Sequence, residues 1–137
     1  MAHGFGTEDW AAALRETINA SSEYRNAGAQ WGVGFDGSLL FQFDPDAELD
    51  RTLRLRLDLS GGACQSAEFV GEGAKPAAFA LRGPFGVWRA ILERKMLAAT
   101  AILTGKLHAE GDKMTLLKHT AAHRALVHCV ASVDTAW

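Results

Sequence analysis

The chain has 137 residues, a formal net charge of −2, 48% hydrophobic and 22% charged residues. That is the size and balance of one folded domain, and it excludes a disordered segment. No basic stripe runs along it, which argues against nucleic acid as a partner. No stretch approaches the ~18 unbroken apolar residues that a membrane span requires.

The first six residues lack the basic and apolar regions of a secretory signal. The closing Thr135-Ala136-Trp137 is neither a peroxisomal nor a retention address. Both point to the cytoplasm. A single domain is expected over 1–137, with its core over about 8–132. Cys64 and Cys129 are too few and too far apart for a disulfide framework, and each sits among apolar residues as a small hydrophobe would.

In chain order, Thr7 can cap a first helix, with Glu8 and Asp9 suited to its positive end. Trp10, Leu14, Thr17, Ile18 and Ser21 then recur at helical spacing, and the helix should fade around Asn26 to Gly28. The glycine-rich Gly32–Gly37, beside Trp31 and Phe35, reads as a loop or a short extended run. Gly37 to Asp44 puts Leu39, Phe41 and Phe43 on one side of a strand that Pro45 ends. From Thr52 to Ser60, four leucines alternate strictly with Arg54, Arg56 and Asp58, as a half-buried antiparallel strand requires. Gly61-Gly62 signals a hairpin. Cys64 to Val70 should return with Ala67 and Phe69 inward, and Ala77 to Arg82 should add a strand with Phe79 and Leu81 inward.

Pro84 suits the start of a helix. The stripe Phe85, Trp88, Leu92, Met96, Ala99 and Leu103 predicts one helix or a helix pair, closed at Gly105. Lys106 to Glu110 makes a short fifth strand, with Leu107 and Ala109 inward. Asp112 caps a last helix with Met114, Leu117, Ala121, Ala122, Leu126 and Cys129 on its apolar arc. The order predicts an α+β fold: a five-stranded, mostly antiparallel sheet with helices packed on one face.

Three stretches resemble the sterol carrier protein family of the second type. They are Leu57-Asp-Leu-Ser-Gly-Gly-Ala-Cys64, Leu81-Arg-Gly-Pro-Phe-Gly-Val-Trp-Arg-Ala-Ile-Leu92 and Leu103-Thr-Gly-Lys-Leu-His-Ala-Glu-Gly-Asp112. The element order matches from Trp10 to about Val130. The resemblance implies an apolar tunnel between sheet and helices that takes sterols, fatty acids, acyl-CoA thioesters or isoprenoids. It also implies movement of lipid between membranes or delivery to enzymes, so transient membrane contact joins the hydrophobic ligand among the expected partners. A domain standing alone, with no attached thiolase or dehydrogenase, suits a bacterial member. One departure is notable: an acidic residue and a proline would be expected where Met96-Leu97-Ala98 stands, so a continuous helix is open there.

An apolar ligand needs few directional contacts, because burial alone supplies about 25 cal/mol per Å². The candidate lining residues are therefore Phe41, Phe43, Phe69, Phe79, Trp88, Leu92, Met96, Leu103, Leu117 and Leu126, each of which plain core would explain equally. His119 and His123 are four apart, a metal-chelating spacing, but threonine stands where a zinc protease places its glutamate; they read as solvated or capping histidines. No serine sits in a nucleophile elbow. Asp44, Asp46, Glu48 and Asp50 read as a solvated loop, and Lys118 as a snorkelling or head-group cation. No catalytic, metal or cofactor site is assigned. Three readings remain: a non-enzymatic lipid carrier, an enzyme or accessory acting on a hydrophobic molecule in lipid, quinone or natural-product metabolism, and a ligand-free interaction module. Monomer and homodimer both stay open, the latter through apolar residues near Trp31 and Trp137.

Overall fold

Alternating leucines decide where the protein hides its apolar surface, and the rest of the chain is arranged around that choice. The computed structural model describes residues 2–137. In chain order the elements are β1 (His3–Gly4), α1 (Glu8–Ala20), α2 (Ser22–Ala27), β2 (Ser38–Asp44), β3 (Leu53–Ser60), β4 (Ala63–Val70), β5 (Phe79–Pro84), α3 (Phe85–Leu92), α4 (Ala98–Leu103), β6 (His108–Glu110), α5 (Lys113–Lys118), α6 (Thr120–Ser132) and β7 (Thr135–Ala136). Among these described residues no helix is long and apolar enough to cross a membrane.

The main sheet runs β4-β3-β2-β5-β6. Three of its pairings are antiparallel, and β5 lies parallel to β2. Leu39, Phe41 and Phe43 of β2, with Leu55, Leu57 and Leu59 of β3, are buried on one face. The opposite face carries a polar lattice: Arg56 meets Asp58, Ser66 donates to Asp58, and Arg82 bridges Gln42 and Glu110. The β3–β4 hairpin turns on Gly61 and Gly62, both at positive φ (62° and 84°), as a tight two-residue turn of this hand demands.

A bulge follows at once. Asp58 pairs with Ser66 but Leu59 with Cys64, so Gln65 is an extra residue. It reverses the alternation and lets Cys64 face inward on the same strand as Ala67 and Phe69. The link from β4 to β5 then passes the polar face of the sheet, where Arg56 Nη1 donates to the carbonyl of Lys75 at 2.7 Å.

The helices pack on the leucine face. Thr7 caps α1 by accepting from the Trp10 N–H (3.2 Å), and Trp10, Ala11, Leu14 and Ile18 form its buried stripe. Asn19 ties α1 to the bulge: its amide donates to the Cys64 carbonyl at 3.0 Å and accepts from the Cys64 N–H at 2.7 Å. The expected first helix reaching Asn26 is in fact two. Ser21 leaves helical geometry and its hydroxyl accepts from the Tyr24 N–H to start α2.

The acidic run is more than a solvated loop. Helix α3 has no side-chain cap of its own, and Asp46 provides one from afar by accepting from the Gly86 N–H at 2.6 Å and from the Glu48 N–H at 2.9 Å. These bonds hold its carboxyl below the usual carboxylate range.

Of the two helical stretches expected in the second half, the first is the helix pair, and the last, expected as one helix, is divided. After α3 the Arg94 N–H bonds to the Ile91 carbonyl and the Lys95 N–H to the Ala90 carbonyl, a Schellman stop. It forces Arg94 to φ 63°, and Arg94 is the one non-glycine residue described with positive φ. The helix pair thus forms without a proline. The last helix divides at His119, which sits between α5 and α6. The chain ends add a clasp: β1 and β7 pair in parallel, and Trp10 Nε1 donates to Thr135 at 2.9 Å.

The left-handed conformation of Arg94 yields a prediction. A side chain there destabilises the fold by roughly 1 kcal/mol, which glycine relieves in part after its own entropy is counted. Arg94→Gly should raise stability by about 0.5–1 kcal/mol in urea denaturation, with an unchanged m-value.

Candidate functional site

The inner face of the sheet has two aromatic poles. At the end where β2 finishes and β3 begins, Phe5 is the hub, with its ring 5.1 Å from Trp10, 5.0 Å from Phe43, 5.8 Å from Phe69, 5.5 Å from Phe85 and 5.2 Å from Trp137. Trp88 joins through Phe43 (4.8 Å) and Phe41 (5.0 Å) and donates its indole N–H to the Gln42 carbonyl. At the other end Trp31 is the hub, 4.8 Å from Phe79, 5.2 Å from Phe35, 5.3 Å from His119 and 4.7 Å from His123.

Eight of the ten candidate lining residues lie in or against this apolar slab. Phe41, Phe43, Phe79, Trp88, Leu92 and Leu126 are buried, and Phe69 and Met96 pack on the core partly exposed. The other two do not face inward: Leu103 is 87% and Leu117 70% exposed. The divided helices explain this. A continuous helix would have carried both onto the inner stripe, whereas the breaks after Leu92 and at His119 turn α4 and α5 outward. Of α4 only Ala101 is buried, and of α5 nothing.

These side chains pack together as one core cluster across the slab. Two surface hollows lie elsewhere: about 360 Å³ between α1 and the segment Ser132–Asp134, and about 370 Å³ between the end of α3, Val130–Thr135 and Trp137. Both have mixed polar and apolar walls, and Leu92 is the one candidate residue that reaches either.

Sequence reasoning passed over Phe5 and underrated Trp31. The Trp31 ring is buried to 1% exposure, with its indole N–H donating to the Gly37 carbonyl. The ring itself is thus out of reach of a second copy, while Val33 beside it is 53% and Trp137 45% exposed. Trp31 precedes glycines at which the backbone folds back tightly, a signal that a buried anchor was holding the loop.

His119 precedes α6 without a side-chain cap bond, and the rings of His119 and His123 both meet Trp31 edge-on. Among the described residues no three His, Cys, Asp or Glu side chains are placed to hold a metal ion. The His123 Nε2 is buried without a hydrogen-bond partner. Burial, then the neighbouring His119, pushes this imidazole down to about 4, so it is neutral at physiological pH. Both cysteines are free and buried. Burial raises the Cys64 thiol to about 11 and raises Cys129 as well, which keeps both as thiols rather than nucleophilic thiolates. Lys118 lies in solvent.

This geometry has known counterparts. The family model for SCP-2 sterol transfer proteins matches residues 25–123, well over half of the chain. The chain belongs to the SCP-2 sterol transfer family. A crystal structure of a sterol carrier protein 2 superposes with a TM-score of 0.83 at 31% identity, covering 94% of this chain and 98% of the other. The solution structure of a conserved hypothetical protein of Thermus thermophilus, described as a candidate sterol carrier protein, gives 0.81 at 29% identity over 96% and 91% of the two chains. The sterol carrier protein 2 of Yarrowia lipolytica shares the fold at 19% identity and a TM-score of 0.54, over 99% and 98%. No curated protein sequence matches significantly. The SCP-2 family is generally one of non-catalytic lipid-binding domains.

The neutral, buried His123 makes stability depend on pH. In the unfolded chain this imidazole takes a proton near its ordinary pKa of about 6.5, whereas in the fold it does so only near 4. Its contribution is therefore complete above about pH 6.5, declines as the pH falls toward 4, and changes no further below that. Between pH 7 and 5 the loss should be about 2 kcal/mol. His123→Phe, which preserves the ring contact with Trp31, should flatten that slope in urea titrations at the two pH values.

Proposed function

We propose that this protein is a non-enzymatic carrier. It takes a fatty acid, acyl-CoA, sterol or isoprenoid against the inner face of its sheet and transfers it as a single domain. One observation carries the reading: the slab between sheet and helices is aromatic and aliphatic, and the described side chains leave one buried polar atom there, His123 Nε2, without a partner. Such a lining suits a molecule with a long apolar body and a single hydroxyl or carboxyl end.

Space for it would open where the wall is thinnest. Helix α5 fully buries none of its residues and meets the core through Leu116, with His119 at its end against Trp31 and Phe35, so moving it outward would uncover these rings at a modest loss of packing. Phe41, Phe43, Phe69, Phe79, Trp88, Leu92, Met96 and Leu126 would then be available to the ligand, and a turn of α4 and α5 would bring Leu103 and Leu117 to it. A ligand burying roughly 400 Å² of apolar surface gains about 10 kcal/mol, against several kcal/mol for association and for shifting the helix.

Native mass spectrometry of the purified protein beside a denatured, lipid-extracted sample should show an extra mass that is lost on denaturation and recovered in the extract. Oleate, oleoyl-CoA and cholesterol should each be titrated against tryptophan fluorescence, and at least one should perturb it. His123→Phe should weaken the responding ligand about 5- to 10-fold, the effect of one lost neutral hydrogen bond. A clean mass, with neither fluorescence nor thermal stability changed by any of the three, would reject the carrier. The packed slab would then favour the interaction module.

A further inference from the structure

Helices α4 and α5 flank β6, the edge strand of the sheet. Nine residues, 104–112, join the two helices, and β6 is the strand among them. Leu97 (73% exposed) and Leu103 (87%) stand in solvent at the two ends of α4, and Met114 (62%) and Leu117 (70%) on α5. Such a concentration of large aliphatic side chains in water, on two short helices, is not needed by the core, which takes Ala98, Ala101 and Leu116 from them.

The charges around them are mostly positive. Arg94, Lys95, Lys106, Lys113 and Lys118 face two carboxylates between positions 94 and 118, in a chain of net charge −2. Both carboxylates are engaged. Glu110 meets Arg82 on the polar face of the sheet, and Asp112 caps α5, accepting from the Met114 N–H and the Thr115 hydroxyl. Lys95 meets Glu93 at 3.5 Å. Arg94, Lys106, Lys113 and Lys118 are exposed, and among the described residues none of the four is in a salt bridge. Lys118 acts on the Asp112 carboxylate only at longer range.

Separate aliphatic anchors ringed by cations outside any salt bridge match the interface of a bilayer. Leucine and methionine side chains enter the acyl boundary, while lysine stems lie along it and lift their ammonium groups to the phosphates. A protein partner is the poorer match, since such interfaces favour aromatic residues and are depleted in lysine, whereas this edge holds four lysines and no Phe, Trp or Tyr between positions 94 and 118.

We propose that the edge formed by α4, β6 and α5 docks on membranes that contain anionic lipid. The inference stands on exposure and charge, and holds whatever ligand the slab takes.

Vesicle co-sedimentation of the full chain tests it, using phosphatidylcholine with and without phosphatidylglycerol and no added ligand. Binding should require the anionic lipid and fall steeply with added salt. Leu103→Ser with Leu117→Ser should lower partitioning at least about tenfold, and Lys113→Glu with Lys118→Glu should do the same, while Lys75→Glu, in the loop beyond the polar face of the sheet, changes it little. These positions are exposed, so thermal melting should be unchanged; should the leucine pair fail to fold, the lysine pair decides. Equal binding to both vesicle types, or lysine variants that partition like the parent, would overturn the proposal. So would sedimentation velocity showing that the leucine pair breaks a dimer while vesicle binding persists, since the face would then serve a second copy of the chain. Fluorescence titration of the parent and of the lysine pair with oleate separates the two functions: vesicle binding by the parent without any ligand response would count against the carrier and leave the docking surface standing, and a lysine pair that answers to ligand like the parent but no longer partitions would support docking as a separate function.

Discussion

One-sided burial in β3 is the constraint on which the fold rests. Leu55 and Leu57 are fully buried, while Arg54, Arg56 and Asp58 between them stay outside. A strand alternates faces residue by residue, so a slip of one position would push two arginines into the core. Every helix must therefore lie on the leucine side, and the arginine side is left open to water and to the loop held by Arg56. The bulge at Gln65 is the local adjustment that lets β4 obey the same rule after an odd step.

The features legible beforehand were those with a strong period or a special backbone need. The alternation of β2 and β3, the glycine hairpin, the Thr7 cap and the proline before α3 all depend on neighbours in sequence, and the α+β architecture followed from their order. The breaks at Ser21 and His119 were not legible, because local propensity permits a helix through each; a helix pair was open between Phe85 and Leu103, but not the place of its division. At Ser21 the hydroxyl offers a new cap, and at Arg94 an arginine adopts a conformation normally left to glycine.

The lining residues were legible only as apolar positions. Strand parity placed Phe41, Phe43 and Phe79 inward. Leu103 and Leu117 depended on the helices remaining continuous, and came out on the opposite side. Asp46 illustrates the complementary blind spot. Its carboxylate caps a helix forty residues away, and no spacing rule reports a contact made across the fold. Phe5, at the centre of one pole, sits in a stretch without periodicity.

The clasp between β1 and β7 gathers the two chain ends around one aromatic hub: Phe5 from the first turn of chain and Trp137 from its last residue stand 5.2 Å apart. This sets an order on folding. The leucine hairpin can form early, since β3 and β4 are neighbours in sequence, but the pole around Phe5 has to wait for a partner more than a hundred positions further along. Until Trp137 arrives, Phe5, Trp10 and Phe85 share an unfinished apolar surface, so this pole is the last part of the core to close.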